Sequence, residues 1–333
     1  MIVTVTGCGG EPAVAAGPES VEGSLVASMV RAYGRSRLRG YGEAMTFNSN
    51  ADVSGSGAKR RGPGGGVIAG GVGGLGAIAV ILLQIFTGGD FSSLLVGPES
   101  GSSASGEGTE ISNCRTGADA NARIDCRLAA GTLSINQYWA KQVSGYREPQ
   151  LIIVDGSTPT ACGTASNATG PFYCPPEETV YIDPTFFDVL EQQFGDRTGP
   201  LAQLYVVAHE YGHHIQQITG VFDRYPSNGT GPRSNSVRAE LQADCYAGAW
   251  VAAAADQKDA QGVAFLQRPT SDQIRDALDA AAAVGDDHIQ AMSGRVNPES
   301  WTHGSSAQRQ KWFGAGLQGG PRACDTFAAG NDL

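Results

Sequence analysis

The run His209-Glu210-Tyr211-Gly212-His213 constrains this chain more than any other stretch of it. Side chains four apart share a helix face, so as a helix the run aims both imidazoles at one point, with Glu210 about 100° round the axis. The chain has 5 histidines, and His209, His213 and His214 fall within six positions. Two imidazoles one turn apart with a carboxylate beside them form the donor set of a hydrolytic zinc site. In that reading His209 and His213 are metal ligands, and Glu210 reaches a water at the ion rather than the ion itself.

The helix is expected over about Gly199 to Thr219. Asp196 or Thr198 can cap it, Pro200 suits its first turn, and Gly220 can end it in a left-handed conformation. Leu204, Val207, Ala208, Tyr211, Ile215 and Ile218 give it an apolar stripe, which makes it a core helix with chemistry on one edge. HExxH alone is short enough to recur by chance. The downstream segment Arg238-Ala239-Glu240-Leu241-Gln242-Ala243-Asp244-Cys245 adds weight to it. This reads as a second helix, opened by Ser234 or Ser236, after a loop with Pro226, Asn228, Gly229, Gly231 and Pro232 that can reverse the chain. A Glu-x-x-x-Asp pair on a helix is usually a solvated face. Its place after HExxH and a reversing loop favours Glu240 as third zinc ligand, with Asp244 accepting a hydrogen bond from a ligand imidazole and fixing its tautomer. Three such ligands leave one position for water, and Glu210 is the residue placed to take its proton.

His209 to Gln216 (HEYGHHIQ), Arg238 to Gly248 (RAELQADCYAG) and Asn297 to Gly316 (NPESWTHGSSAQRQKWFGAG) resemble the bacterial neutral zinc metallopeptidase family, a membrane-anchored group related to gluzincin peptidases. Thr116 to Cys126, Gly170 to Cys174 and Thr179 to Pro184 extend the likeness, which covers about residues 45 to 330. The resemblance implies a gluzincin-like α+β fold that hydrolyses peptide bonds, with His209, His213 and Glu240 holding Zn2+ and Glu210 as general base. In such folds an edge strand binds the substrate backbone by strand addition. Phe172-Tyr173 and Val180-Tyr181-Ile182 are the candidates, and the sequence does not choose between them.

His303 is the next candidate catalytic residue, since a hydrogen-bonding or cationic group near the metal stabilises a tetrahedral oxyanion. The competing reading is a histidine that packs against a helix beginning near Ser305. Arg238 and Tyr211 have weaker claims. His214 points off the ligand face and is expected to support the site from behind or lie at the surface, and His288 is expected to be solvated.

Val67 to Phe86 contains no charged residue over twenty positions, enough for one transmembrane helix, although five glycines from Gly70 to Gly76 weaken it. A buried core helix and a signal peptide are the other readings. Lys59, Arg60 and Arg61 precede the run, so by the positive-inside rule residues 45–66 are expected to be cytoplasmic and the chain after about residue 87 to face outward. A Gly/Ser-rich tether over 87–108 would lead into a peptidase domain at 109–333. Residues 1–44 fall outside the resemblance and read as a mis-assigned start, or as a basic targeting extension.

Six cysteines follow the apolar run, an even number that suits an oxidising compartment and three disulfides. Short loops favour Cys114 with Cys126 and Cys162 with Cys174, leaving Cys245 with Cys324, but six cysteines allow other pairings. Residues 1–66 hold seven Lys/Arg and five Asp/Glu, so the remainder, with 16 basic and 28 acidic residues, carries −12 of a total −10. That balance disfavours nucleic acid as a partner of the outer domain and leaves a peptide or protein substrate. The leading expectation is a membrane-anchored zinc peptidase working outside the cytoplasm. The alternatives are a catalytically silent, membrane-tethered zinc-binding module and a zinc hydrolase of non-peptide bonds.

Overall fold

Two apolar runs with no alternation, Leu151-Ile152-Ile153-Val154 and Val180-Tyr181-Ile182, form the parallel centre of a sheet covered on both faces, as such runs require. The computed structural model describes residues 46–63, 108–194, 199–292 and 294–333. Its main sheet contains β1 (Lys59–Arg61), β2 (Thr109–Glu110), β3 (Gln150–Val154), β6 (Phe172–Cys174) and β7 (Thr179–Ile182), in the order β2-β1-β3-β7-β6. β1, β3 and β7 run parallel, and the outer strands β2 and β6 pair antiparallel. A separate hairpin, β4 (Ser157–Thr160) and β5 (Gly163–Ser166), lies between β3 and β6 in sequence.

Helices supply the rest of the α+β architecture: α1 (Gly117–Ala122), α2 (Ile124–Gln142), α3 (Phe186–Phe194), α4 (Pro200–Ile218), α5 (Val221–Arg224), α6 (Asn235–Ala253), α7 (Ser271–Ala283), α8 (Asp286–Met292) and α9 (Ser306–Gly319). The helix expected around HExxH is α4. Pro200 opens it, and Gly220 follows it at φ 72°, the left-handed position a C-terminal glycine takes. Its cap is Gly199, which makes no side-chain cap bond, so neither Asp196 nor Thr198, both outside the described residues, is the cap. Ser234, not Ser236, caps α6, its hydroxyl accepting the Val237 N–H at 3.2 Å.

α4 and α6 run antiparallel and very close. A Cβ on Gly212 would lie 2.9 Å from Ala243 Cα, so the glycine inside HExxH is what lets the two backbones approach. α9 packs on the other side of α6 by the same device: a Cβ on Gly316 would lie 1.8 Å from the Cys245 carbonyl, and one on Gly248 2.1 Å from the Phe313 carbonyl. The Cys245–Cys324 disulfide staples the chain after α9 to α6, and Cys114–Cys126 and Cys162–Cys174 close the two short loops.

α4 is tied to the sheet by His214. This side chain is fully buried; its Nε2 donates to the Arg147 carbonyl at 2.7 Å, and its Nδ1 accepts from the Tyr173 hydroxyl at 3.0 Å. A carbonyl can only accept, so the neutral Nε2-H tautomer is fixed. The expectation of a residue at the surface or behind the metal site fails because β6 covers the back of α4.

The domain begins earlier than residue 109. The segment expected to stand apart at 45–66 is, over its described part, built into the fold. Phe47, Ala51 and Val53 are buried, and Phe47 exchanges two hydrogen bonds with the Asn121 side chain, at 3.0 and 2.9 Å. Val53 N–H donates to the Arg115 carbonyl, and Lys59 to Arg61 form β1. Lys59-Arg60-Arg61 reads in sequence as a membrane flank, but in the fold Arg60 pairs with Asp125 at 2.7 Å and the Arg61 guanidinium lies 5.9 Å from the centre of the Tyr181 ring. Among the described residues no helix is long and apolar enough to cross a membrane. The 67–86 run, the 1–44 extension and the 87–107 stretch lie outside the described residues.

Two outcomes follow from this packing. Gly316→Ala forces α9 off α6 and should lower stability by about 1–3 kcal/mol or more, several degrees in Tm by calorimetry; an unchanged Tm would refute the tight contact. Burial holds the His214 imidazole below its ordinary pKa, although the Arg147 carbonyl and Glu178 oppose the shift. The unfolded chain therefore takes up a proton as pH falls below about 6.5 that the folded chain resists, and stability drops over that range. His214→Gln keeps one donor and one acceptor without titrating, so urea unfolding at pH 8 and pH 5 should show a smaller acid loss for the variant. Equal losses would remove His214 from the account.

Candidate metal centre

The antiparallel contact of α4 and α6 brings His209, His213 and Glu240 together, with one ligand atom from each within 4.8 Å of the others. Glu240 spans both rings, its Oε2 3.2 Å from His209 Nε2 and its Oε1 3.4 Å from His213 Nε2. Burial alone would raise the Glu240 carboxyl, but His213, His209 and His303 around it hold it well below the usual carboxylate range.

Each imidazole is fixed from behind. Asp244, fully buried, takes the His209 Nδ1-H at 2.8 Å, which turns the Nε2 edge of the ring to the Glu240 side. His213 Nδ1 lies 2.9 Å from Gln216 Oε1, and Gln216 Nε2 donates to the Ala239 carbonyl at 2.7 Å, so Gln216 must be the acceptor for His213. Both rings thus present Nε2 to the same carboxylate. Two nitrogens and an oxygen, oriented in this way, suit zinc.

Asp244 is the hub of a buried network. It accepts from Arg309 at 2.8 and 2.9 Å and from the Tyr205 hydroxyl at 2.6 Å as well as from His209. Burial would raise its pKa, but Arg309 and His209 hold it at about 2. His209, penalised by burial yet set between Asp244 and Glu240, is pushed up to about 10, the response of a ring that sits where positive charge is favoured. A divalent cation held by His209, His213 and Glu240 would supply positive charge at the same place. Removing one partner from a buried ion pair typically costs about 3–5 kcal/mol, so Arg309 is integral to the site.

Glu210 is almost buried, yet among the described residues no hydrogen bond or ion pair to its carboxylate is found. Its oxygens are not among the fully buried polar atoms that lack a partner, so the carboxylate keeps access to solvent. A solvent-accessible carboxylate one position along the helix from His209 is placed to meet water and substrate.

His303 lies near enough to Glu240 for the two to interact electrostatically. Its Nδ1 is held by Asp286 Oδ1 at 3.2 Å and by the Thr302 hydroxyl at 3.0 Å. Asp286 is buried, and its Oδ2 also accepts the backbone N–H groups of Thr302, His303 and Gly304 at 2.8, 2.7 and 3.0 Å, which fixes the loop that carries the ring. Burial opposes charge on His303, but Asp286 and Glu240 raise its pKa. Among the described residues Nε2 has no hydrogen-bond partner.

Tyr211 is fully buried in the core, and Arg238 donates to the Thr326 and Gly330 carbonyls, holding the C-terminal segment rather than the site. His288 is exposed. Sequence reasoning did not single out Arg309, Tyr205, Gln216 or Asp286. Gln216 closes the HEYGHHIQ run and Arg309 lies inside NPESWTHGSSAQRQKWFGAG, so both sit in matched motifs; nothing marks Asp286 or Tyr205.

The family described as "Putative neutral zinc metallopeptidase" matches residues 42–327. Uncharacterized protein Rv2575 of Mycobacterium tuberculosis (strain H37Rv) is 51% identical over 225 residues, 67% of this chain and 77% of that protein. Uncharacterized protein Mb2605 of Mycobacterium bovis gives the same figures, 51% over 225 residues, 67% and 77%. Uncharacterized protein YpfJ of Escherichia coli (strain K12) is 38% identical over 265 residues, 77% of this chain and 87% of that protein. No solved structure matches the chain. The family match takes in the described N-terminal arm, both helices of the metal centre and the loop of His303, and the chain belongs to the neutral zinc metallopeptidase family.

Proposed function

We propose that this chain is a zinc-dependent peptidase in which His209, His213 and Glu240 hold the ion, Glu210 is the general base and His303 stabilises the oxyanion. The observation that carries the reading is the convergence of three donors beside a solvent-accessible Glu210 carboxylate that has no partner among the described residues. When bound, zinc supplies Lewis acidity to a water and to the substrate carbonyl. Glu210 accepts the proton of the attacking water and returns it to the departing amine. His303, its Nδ1 held by Asp286, offers Nε2-H to the carbonyl oxygen as charge develops there. Asp244, clamped by Arg309, keeps the His209 ring from turning.

The substrate is an extended peptide. β7 is paired on both sides, by β3 and β6, so Val180 to Ile182 has no edge to offer, whereas β6 is the last strand of the sheet. Tyr173 of β6 bonds His214 of α4, which couples that edge to the metal helix. A peptide added along β6 gains main-chain hydrogen bonds on an edge tied to the metal helix. The three disulfides support an extracytoplasmic site of action.

Glu210→Gln should lose cleavage of an unbiased peptide library by at least 100-fold while elemental analysis finds zinc retained; full cleavage by the variant would remove Glu210 as base. Glu240→Ala should reduce zinc occupancy far more than Asp244→Ala, whose loss of an outer partner is worth about 10–100-fold in affinity. The reverse order would make Asp244 the ligand.

A further inference from the structure

The two ends of the 64–107 segment are joined in one sheet. Lys59 and Arg60 pair antiparallel with Glu110 and Thr109, and Lys59 to Arg61 pair in parallel with Ile152 to Val154. The Ile111 N–H donates to the Ala58 carbonyl, and the Asp155 N–H to the Arg61 carbonyl. The return at Gly108 is so tight that a Cβ there would lie 2.8 Å from the Arg60 carbonyl and 3.1 Å from Lys59 Cβ. Upstream, Asn48 N–H bonds the Phe265 carbonyl, Gln267 N–H bonds the Thr46 carbonyl, and a Cβ on Gly117 would lie 1.9 Å from the Asn48 carbonyl. The arm therefore touches the β3 side, α1 and the stretch before α7, and its apolar side chains belong to the domain core. Its basic residues are used in the same way, since Arg60 pairs with Asp125 next to the disulfide-bonded Cys126.

A helix that crosses a bilayer once delivers its ends to opposite faces, about 30 Å of hydrocarbon apart. Neighbouring strands are about 4.8 Å apart. From this we infer that residues 46–63 share the compartment of the zinc-site domain, so that the chain leaving at Pro63 and returning at Gly108 does so on one face of any membrane it meets. Both ends of the segment lie at the β1–β2 side of the sheet, opposite the β6 edge proposed for substrate. The arm's contacts do not involve the metal ligands, so its topology and the zinc chemistry are independent.

The test is labelling by a membrane-impermeant maleimide in intact bacterial spheroplasts. The full-length chain carries Cys8→Ala and one reporter, Ser54→Cys in the arm or Asp188→Cys on α3. Both positions are exposed and lie outside the core, and retention of the native disulfides on a non-reducing gel checks the fold. The same labelling at the two positions, before permeabilisation as well as after it, is expected. Labelling of Asp188→Cys before permeabilisation and of Ser54→Cys only after it, a difference of at least 10-fold, would overturn the inference and restore a single crossing.

Discussion

The contact between Gly212 and Ala243 decides most of what this domain can do. One residue without a Cβ, set inside the HExxH run, lets α4 and α6 approach until Glu240 lies against the Nε2 atoms of both imidazoles. A larger residue would push the helices apart and open the ligand set. The same rule recurs where α9 meets α6 at Gly248 and Gly316, so three helices stand close enough for Arg309 to reach Asp244 through the core.

That buried pair explains the order of the centre. An isolated Asp244 would be expensive to bury, and an isolated Arg309 more so, but together with Tyr205 and His209 all the polar atoms of the Asp244 carboxylate are used. The network fixes one ligand ring, Gln216 fixes the other, and Asp286 fixes the loop of His303. Among the described residues the Glu210 carboxylate and His303 Nε2 are the site groups left without a partner, as expected of groups that meet water and substrate.

The N-terminal arm carries a charge pattern whose partners in the fold lie far away in sequence. Lys59-Arg60-Arg61 before an apolar run has the charge pattern of a membrane flank, and nothing within a few residues contradicts it. Its partners are Asp125, Tyr181 and the backbone of β3, all more than sixty positions away. A charge pattern reports where a segment would be stable alone, whereas the sheet decides where it is held.

What the sequence determined by itself is what one turn of helix determines. His209 and His213, and likewise Glu240 and Asp244, share faces because 3.6 residues make a turn, and the caps, breakers and short cysteine loops around them act over similarly short spans. The edge of the sheet, the acceptor for each imidazole and the place of the arm required the tertiary structure. Arg309, Gln216 and Asp286 act through groups three to 65 positions distant, and His214 is buried only because β6 lies behind it. Periodicity assigns a side chain to a face, and only packing decides what that face meets.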